Sequence, residues 1–172
     1  MSEPIYFDEL EIGQSWVSPA RTVTETDVVN FANMTGDIDP LHVNHDYASK
    51  SHFGQPVAHG LLGVSWVAGL AIHNPMIKTA AFTSIENWEF LAPIYFGDTL
   101  HVQTSVLEME NNGRRNGKVR WQKKLINQND KVVQQGVFIT IVQKRVAVPT
   151  PHLNKSGSES SAAADSGSSA GS

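Results

Sequence analysis

Residues 59–73, His-Gly-Leu-Leu-Gly-Val-Ser-Trp-Val-Ala-Gly-Leu-Ala-Ile-His, constrain the fold more than any other stretch of this chain. The run is too long for an ordinary strand and apolar on every face, so it predicts a helix buried all round. Its glycines and alanines let a sheet come close. The second half of the chain changes period. Residues 82–90 read as a strand of mixed pattern, and residues 100–107 alternate apolar and polar side chains. Residues 118–127 form another β-rich run behind an Asn116-Gly117 turn, and residues 132–142 a fourth, beyond Asn129-Asp130. Sequential strands with short turns predict an antiparallel sheet. One long apolar helix and such a sheet make an α+β chain, and no internal repeat breaks it up.

At 172 residues and 40% hydrophobic content there is material for one core and one domain. Thr24 followed by Asp27 marks a helix start, a capping hydroxyl and then an acid in the first turn. Val28, Val29, Phe31, Ala32 and Met34 give that helix an apolar side up to Gly36. Pro149 and Pro151 stop regular structure, so order is expected to end near Val148. The expected division is a domain over residues 1–150 and a disordered tail, rich in Ser, Gly and Ala, over residues 151–172.

Composition closes off several functions. A net charge of −4 leaves no basic excess for DNA, RNA or anionic lipid. The chain has no cysteine, which excludes a disulfide framework, a thiolate nucleophile and a Cys-type zinc site. No apolar stretch is long enough to span a bilayer. Met1-Ser2-Glu3-Pro4 starts acidic with no apolar run behind it, unlike a secretory signal, so the expected location is cytoplasmic. A charged fraction of 17% is low, which suggests that a partner subunit covers part of the surface.

The chemistry concentrates in Thr35-Gly36-Asp37-Ile38-Asp39-Pro40-Leu41-His42. Gly36 and Pro40 make this a turn, and a turn can aim Asp37 and His42 at one point. A carboxylate and an imidazole that share a water form a general acid/base pair able to add water to a double bond or remove it. The bland alternative is that Asp37 and Asp39 stabilise a turn and His42 is a loop histidine.

Gly36-Asp37-x-Asp39-Pro40-Leu41-His42 resembles the G-D-x-N-P-[LIV]-H signature of the MaoC-like, R-specific enoyl-CoA hydratases. Pro56-Val57-Ala58-His59-Gly60-Leu61-Leu62 resembles the P-[IV]-x-H-G start of that family's central helix. The resemblance extends more loosely over residues 5–145. It implies a single hot-dog fold, a curved antiparallel sheet wrapped around one long central helix. It implies a lyase that hydrates a trans-2-enoyl-CoA to an R-3-hydroxyacyl-CoA, or the reverse, with Asp37 and His42 catalytic. It also implies an acyl-CoA substrate, a homodimer, a place in fatty acid metabolism and no cofactor. A hot-dog thioesterase and a non-catalytic acyl-binding subunit are the rival readings.

Gly60 opens the predicted helix, where backbone N–H groups point outward unpaired, so it can stabilise a thioester oxyanion or simply permit tight packing. The resemblance favours the oxyanion hole. Asp39 stands where the family usually has asparagine. Near Asp37 and His42 its charge would raise a neighbouring pKa and hold the pair protonated to higher pH; otherwise it caps the turn before Pro40. Arg114 and Arg115, with Lys118, are candidates for the coenzyme A phosphates, although a solvated hairpin tip is the preferred reading. Trp66, Ile72 and Trp88 are candidates for an acyl pocket or for core. Five of seven histidines fall between His42 and His73, but His42-x-x-His45 is the sole short pair and lies in a loop, so no metal is expected. His59 is expected to order the turn before the helix, and His73 to favour its negative end.

Overall fold

A computed structural model describes residues 3–145. The strands are β1 (Ser15–Val17), β2 (Arg21–Thr22), β3 (Thr79–Phe90), β4 (Thr99–Asn112), β5 (Asn116–Ile126) and β6 (Val132–Gln143). They form one sheet in the order β1-β4-β5-β6-β3, with β2 also on β4. Every pairing between these strands is antiparallel. Alternation decides which face is buried. On β5, Val119, Trp121, Lys123 and Leu125 point inward, while Lys118, Arg120, Gln122 and Lys124 are more exposed.

The long apolar run is helix α4 (Gly60–Leu70), extended by a 3-10 turn over Ala71–His73. Leu62, Trp66 and Val67 join Val119, Trp121 and Leu125 in the core. The helix is not buried all round. Leu61 is 64% exposed, and Ile72 beyond it 61%. One side of an all-apolar helix meets the sheet, and the other is left exposed among the described residues.

Two other expectations change. The β4–β5 hairpin turns at Gly113-Arg114-Arg115, with Gly113 at φ +76°, and Asn116-Gly117 lies inside β5. Asn116 pairs with Asn112, and a side chain at position 117 would collide with the Phe7 ring, so packing sets the register there. Strand β3 pairs with β6, not with its sequence neighbour β4. The connecting residues 91–98 leave the sheet and cross to the start of α4, where Ala58 N–H donates to the Ile94 carbonyl at 2.8 Å.

Helix α1 (Glu25–Thr35) begins as expected. Thr24 and Asp27 form a reciprocal capping box. The helix ends at Gly36 in the left-handed conformation, φ +80°. Two short helices follow, α2 (Pro40–Val43) and α3 (His45–Ser49). The expected end near Val148 and the tail over residues 151–172 lie outside the described residues. Among the described residues no helix is long and apolar enough to cross a membrane.

Candidate active site

Gly36 turns the chain out of α1, and Pro40 at the first position of α2 starts a new helix four residues on. Asp37 sits in the link between them and His42 on α2. The link folds over the start of α4. His59, buried at 2% exposure, reaches from the N-terminus of α4 to the Asp37 backbone carbonyl, its Nε2 at 2.8 Å. The same nitrogen lies 3.8 Å from the Asp37 carboxylate. The His59 ring stacks on His42 with centroids 3.8 Å apart. One nitrogen or oxygen from each of Asp37, His42 and His59 falls within 4.8 Å of the others.

Hydrogen bonding fixes the protons. His42 Nδ1 lies 2.7 Å from the Val57 carbonyl, which can only accept, so Nδ1 carries a hydrogen. A neutral His42 then presents a bare Nε2, the atom of a general base. By the same argument His59 Nε2 donates to the Asp37 carbonyl, and its Nδ1 is bare, buried and without a partner among the described residues. The donor set fits a metal poorly. The His59 nitrogen facing Asp37 already donates to a carbonyl, which leaves His42 and the Asp37 carboxylate to offer ligands on that side, short of the three or four of a usual site.

His42 and Gly60 both line a cavity of about 380 Å³, together with Leu41, Phe53, Phe90 and Gln134. Asp37 is not a wall residue, and its side chain is 56% exposed. The Gly60 N–H has no hydrogen-bond acceptor among the described residues. A Cβ at position 60 would come 2.8 Å from Phe90 Cε1, so the close approach requires glycine. Gln134 Nε2 donates to the Gly60 carbonyl at 3.0 Å and holds the turn from behind.

The remaining sequence candidates lie elsewhere. Asp39 caps α2, its Oδ1 accepting from Leu41 N–H at 2.8 Å. Trp66 is core, 8% exposed, with the Arg21 guanidinium 4.5 Å from its ring centroid. Arg114 and Arg115 are exposed at the hairpin tip. From Arg115 to Leu125, which pairs with Gln134 of the cavity, β5 runs ten residues, roughly 33 Å of strand. Ile72 lines a different cavity, at the far end of α4. His59 and Gln134 are site residues that sequence reasoning did not assign. The signal for His59 was its place in the second motif block, and for Gln134 a polar pair interrupting an apolar strand.

A sheet curled over one apolar helix is the hot-dog fold. A Mycobacterium tuberculosis protein with a double hot-dog fold matches at TM-score 0.77 and 22% identity, over 94% of this chain and 53% of its own. Residues 9–129 match the MaoC-like domain, and the chain belongs to the MaoC-like dehydratase family. It is similar to protein MaoC of Klebsiella aerogenes, 39% identical over 98 residues, 57% of this chain but 29% of that protein. It is similar to an (R)-specific enoyl-CoA hydratase of Rhodospirillum rubrum, 36% identical over 104 residues, 59% of this chain and 69% of that one. The solved R-hydratase PhaJ1 of Pseudomonas aeruginosa matches at TM-score 0.68 and 28% identity, over 83% of this chain and 88% of its own.

Proposed function

We propose that this chain adds water to trans-2-enoyl-CoA thioesters to give R-3-hydroxyacyl-CoA, and catalyses the reverse dehydration. The observation that carries the reading is the cluster of Asp37 and His42, with a ring nitrogen and a carboxylate oxygen within 4.8 Å of each other, on a His42 that lines a cavity with Gly60 and whose Nδ1 is taken up by the Val57 carbonyl. Two polar atoms up to 4.8 Å apart are bridged by one water at about 2.8 Å from each. In the proposed step the Asp37 carboxylate accepts one O–H of that water and His42 Nε2 the other. His42 takes its proton as the oxygen bonds to the β-carbon. The protonated imidazole then delivers that proton to the α-carbon, so the substrate gains one hydroxyl and one hydrogen. The transient enolate oxygen accepts from Gly60 N–H at the positive end of α4. The names of the hydratase relatives support the same substrate class.

The catalytic domain is taken as residues 1–150, and the working unit as a cytoplasmic homodimer. β3 is an edge strand of twelve residues. Phe82 and Ile85 on it are exposed, as are Leu61 and Ile72 beside α4. An unpaired edge next to uncovered apolar surface suits a second copy. Sedimentation equilibrium at twice the protomer mass is the expected result. For activity, purified protein is mixed with trans-2-enoyl-CoAs of increasing length while the enoyl absorbance, the product configuration and free thiol are followed. Loss of absorbance with R-3-hydroxyacyl product and no free thiol is expected. Thiol release would show a thioesterase, and binding without turnover an acyl-binding module.

A further inference from the structure

A second cavity, about 230 Å³, opens at the far end of α4 and shares no lining residue with the first. Ile72, Phe82, Trp121 and Phe138 make its wall apolar, and Ile72 and Phe82, which the proposed second copy would border, set the cavity beside that face. Into that wall β5 sets Lys123, on the buried side of the strand and 9% exposed. Its Nζ donates to Thr104 Oγ1 at 2.8 Å, directly across on β4, and its other N–H groups have no acceptor among the described residues. No described carboxylate comes within 4 Å of it. The Trp121 and Phe138 rings stand 5.8 and 5.9 Å away. Burial lowers the pKa of this amine to about 8, which leaves it mostly charged at neutral pH.

Two hydroxyls complete the group. Thr104 Oγ1 accepts from Lys123, so its own O–H is free to donate. Thr140 Oγ1 accepts from Trp121 Nε1 at 2.9 Å and is free in the same way. The cavity therefore carries a buried cation and two hydroxyl donors, with no anion among the described residues that line it. A buried charge without a counter-charge is costly, and an anionic ligand removes that cost. A phosphate would bring three strong acceptor oxygens and close to two charges, more than these donors satisfy against aromatic walls. A carboxylate brings one charge and two oxygens. The space equals about eight waters' share of liquid volume, enough for a short apolar stem.

We propose that this cavity binds a carboxylate carried on a short apolar chain, with Lys123, Thr104 and Thr140 as its donors. Two sources share that chemistry. One is a free carboxylic acid. The other, which rests on the hydratase reading, is the far end of an acyl chain whose thioester lies near Gly60, about 12 Å from Ala68 along α4.

The test titrates hexanoate, and hexanamide as its neutral counterpart, into the full-length protein by calorimetry. Lys123→Met and Thr104→Val are the variants, and circular dichroism checks their folding. Hexanoate should bind the wild type and bind Lys123→Met at least about tenfold more weakly, the equivalent of one charged hydrogen bond. Thr104→Val should weaken it less, and hexanamide should respond to neither change. Equal hexanoate affinity in wild type and Lys123→Met would overturn the proposal, and so would no binding to the wild type at millimolar hexanoate. Competition with a trans-2-enoyl-CoA substrate would identify the acyl end as the source; binding without competition would identify a separate acid. The binding arm needs no turnover, so its failure is distinct from failure of the hydratase reading.

Discussion

Replacing Lys123 with methionine removes a charge while keeping an unbranched side chain of similar length. Burial lowers the lysine pKa from its ordinary 10.5 to about 8. Each tenfold change in proton affinity is worth about 1.4 kcal/mol, so holding the ammonium in the core costs about 3 kcal/mol. The lost hydrogen bond to Thr104 returns about 1 kcal/mol, leaving a net gain of about 2 kcal/mol for the variant at pH 7. The sign with pH follows from linkage. Between about 8 and 10.5 the unfolded chain holds this proton and the folded chain sheds it, so wild-type stability climbs with pH across that window. Below pH 8 the full penalty applies. Urea denaturation of both proteins at pH 7, 9 and 10, at one protomer concentration, measures the gap. It should favour Lys123→Met at pH 7 and narrow by pH 10. A variant less stable than wild type at pH 7, or a gap independent of pH, would mean that the ammonium is already compensated in the folded protein.

Gly60→Ala drives a Cβ to 2.8 Å from Phe90 and should cost about 1–3 kcal/mol, read as a lower thermal midpoint; an unchanged midpoint would show that the ring moves freely. Thr24→Ala removes half of the capping box of α1 and should cost about 1 kcal/mol in denaturant titration. The Asp27 carboxyl is held below the usual range: burial raises it, but the bonds from Thr24 and the Arg21 guanidinium outweigh that. Its contribution is present above the ordinary 3.8 and fades as pH falls through the lowered value, so Asp27→Asn should flatten the acid limb of stability. Asp39→Asn should keep both activity and pH profile, since asparagine caps α2 with the same acceptor; a shifted acid limb would show that the Asp39 charge reaches His42.

What was legible in the sequence was local or periodic. The Thr24 cap, the stop at Gly36 and the alternation of β4 and β5 are written in neighbouring residues, and the structure contains them. Asp37 and His42 meet because a glycine and a proline bracket the link between two helices. What was not legible depends on distant packing. Asn116-Gly117 carries the strongest hairpin signal in the chain, yet Gly113 takes the turn and the Phe7 ring occupies the space beside Gly117. Hydropathy does not distinguish a helix face covered by its own sheet from one left exposed, so Leu61 and Ile72 read as core. The sequence around His59 points only to the turn before the helix, whereas its bond to the Asp37 carbonyl requires the link after α1 to lie over the start of α4. Lys123 could have been found. The alternation Val119, Trp121, Lys123, Leu125 places it on the buried side, but a lysine read in isolation suggests solvent.

Asp37 and His42 are proposed to act as one acid/base pair on an enoyl thioester. The most direct measurement is the steady-state rate of trans-2-enoyl-CoA hydration by Asp37→Asn and His42→Ala, with folding of each verified by circular dichroism. Each variant should lose at least about a hundredfold in kcat, the low end for acid/base catalysis, and the double variant should lose little more than the worse single one. Near-normal hydration by either variant would contradict the account.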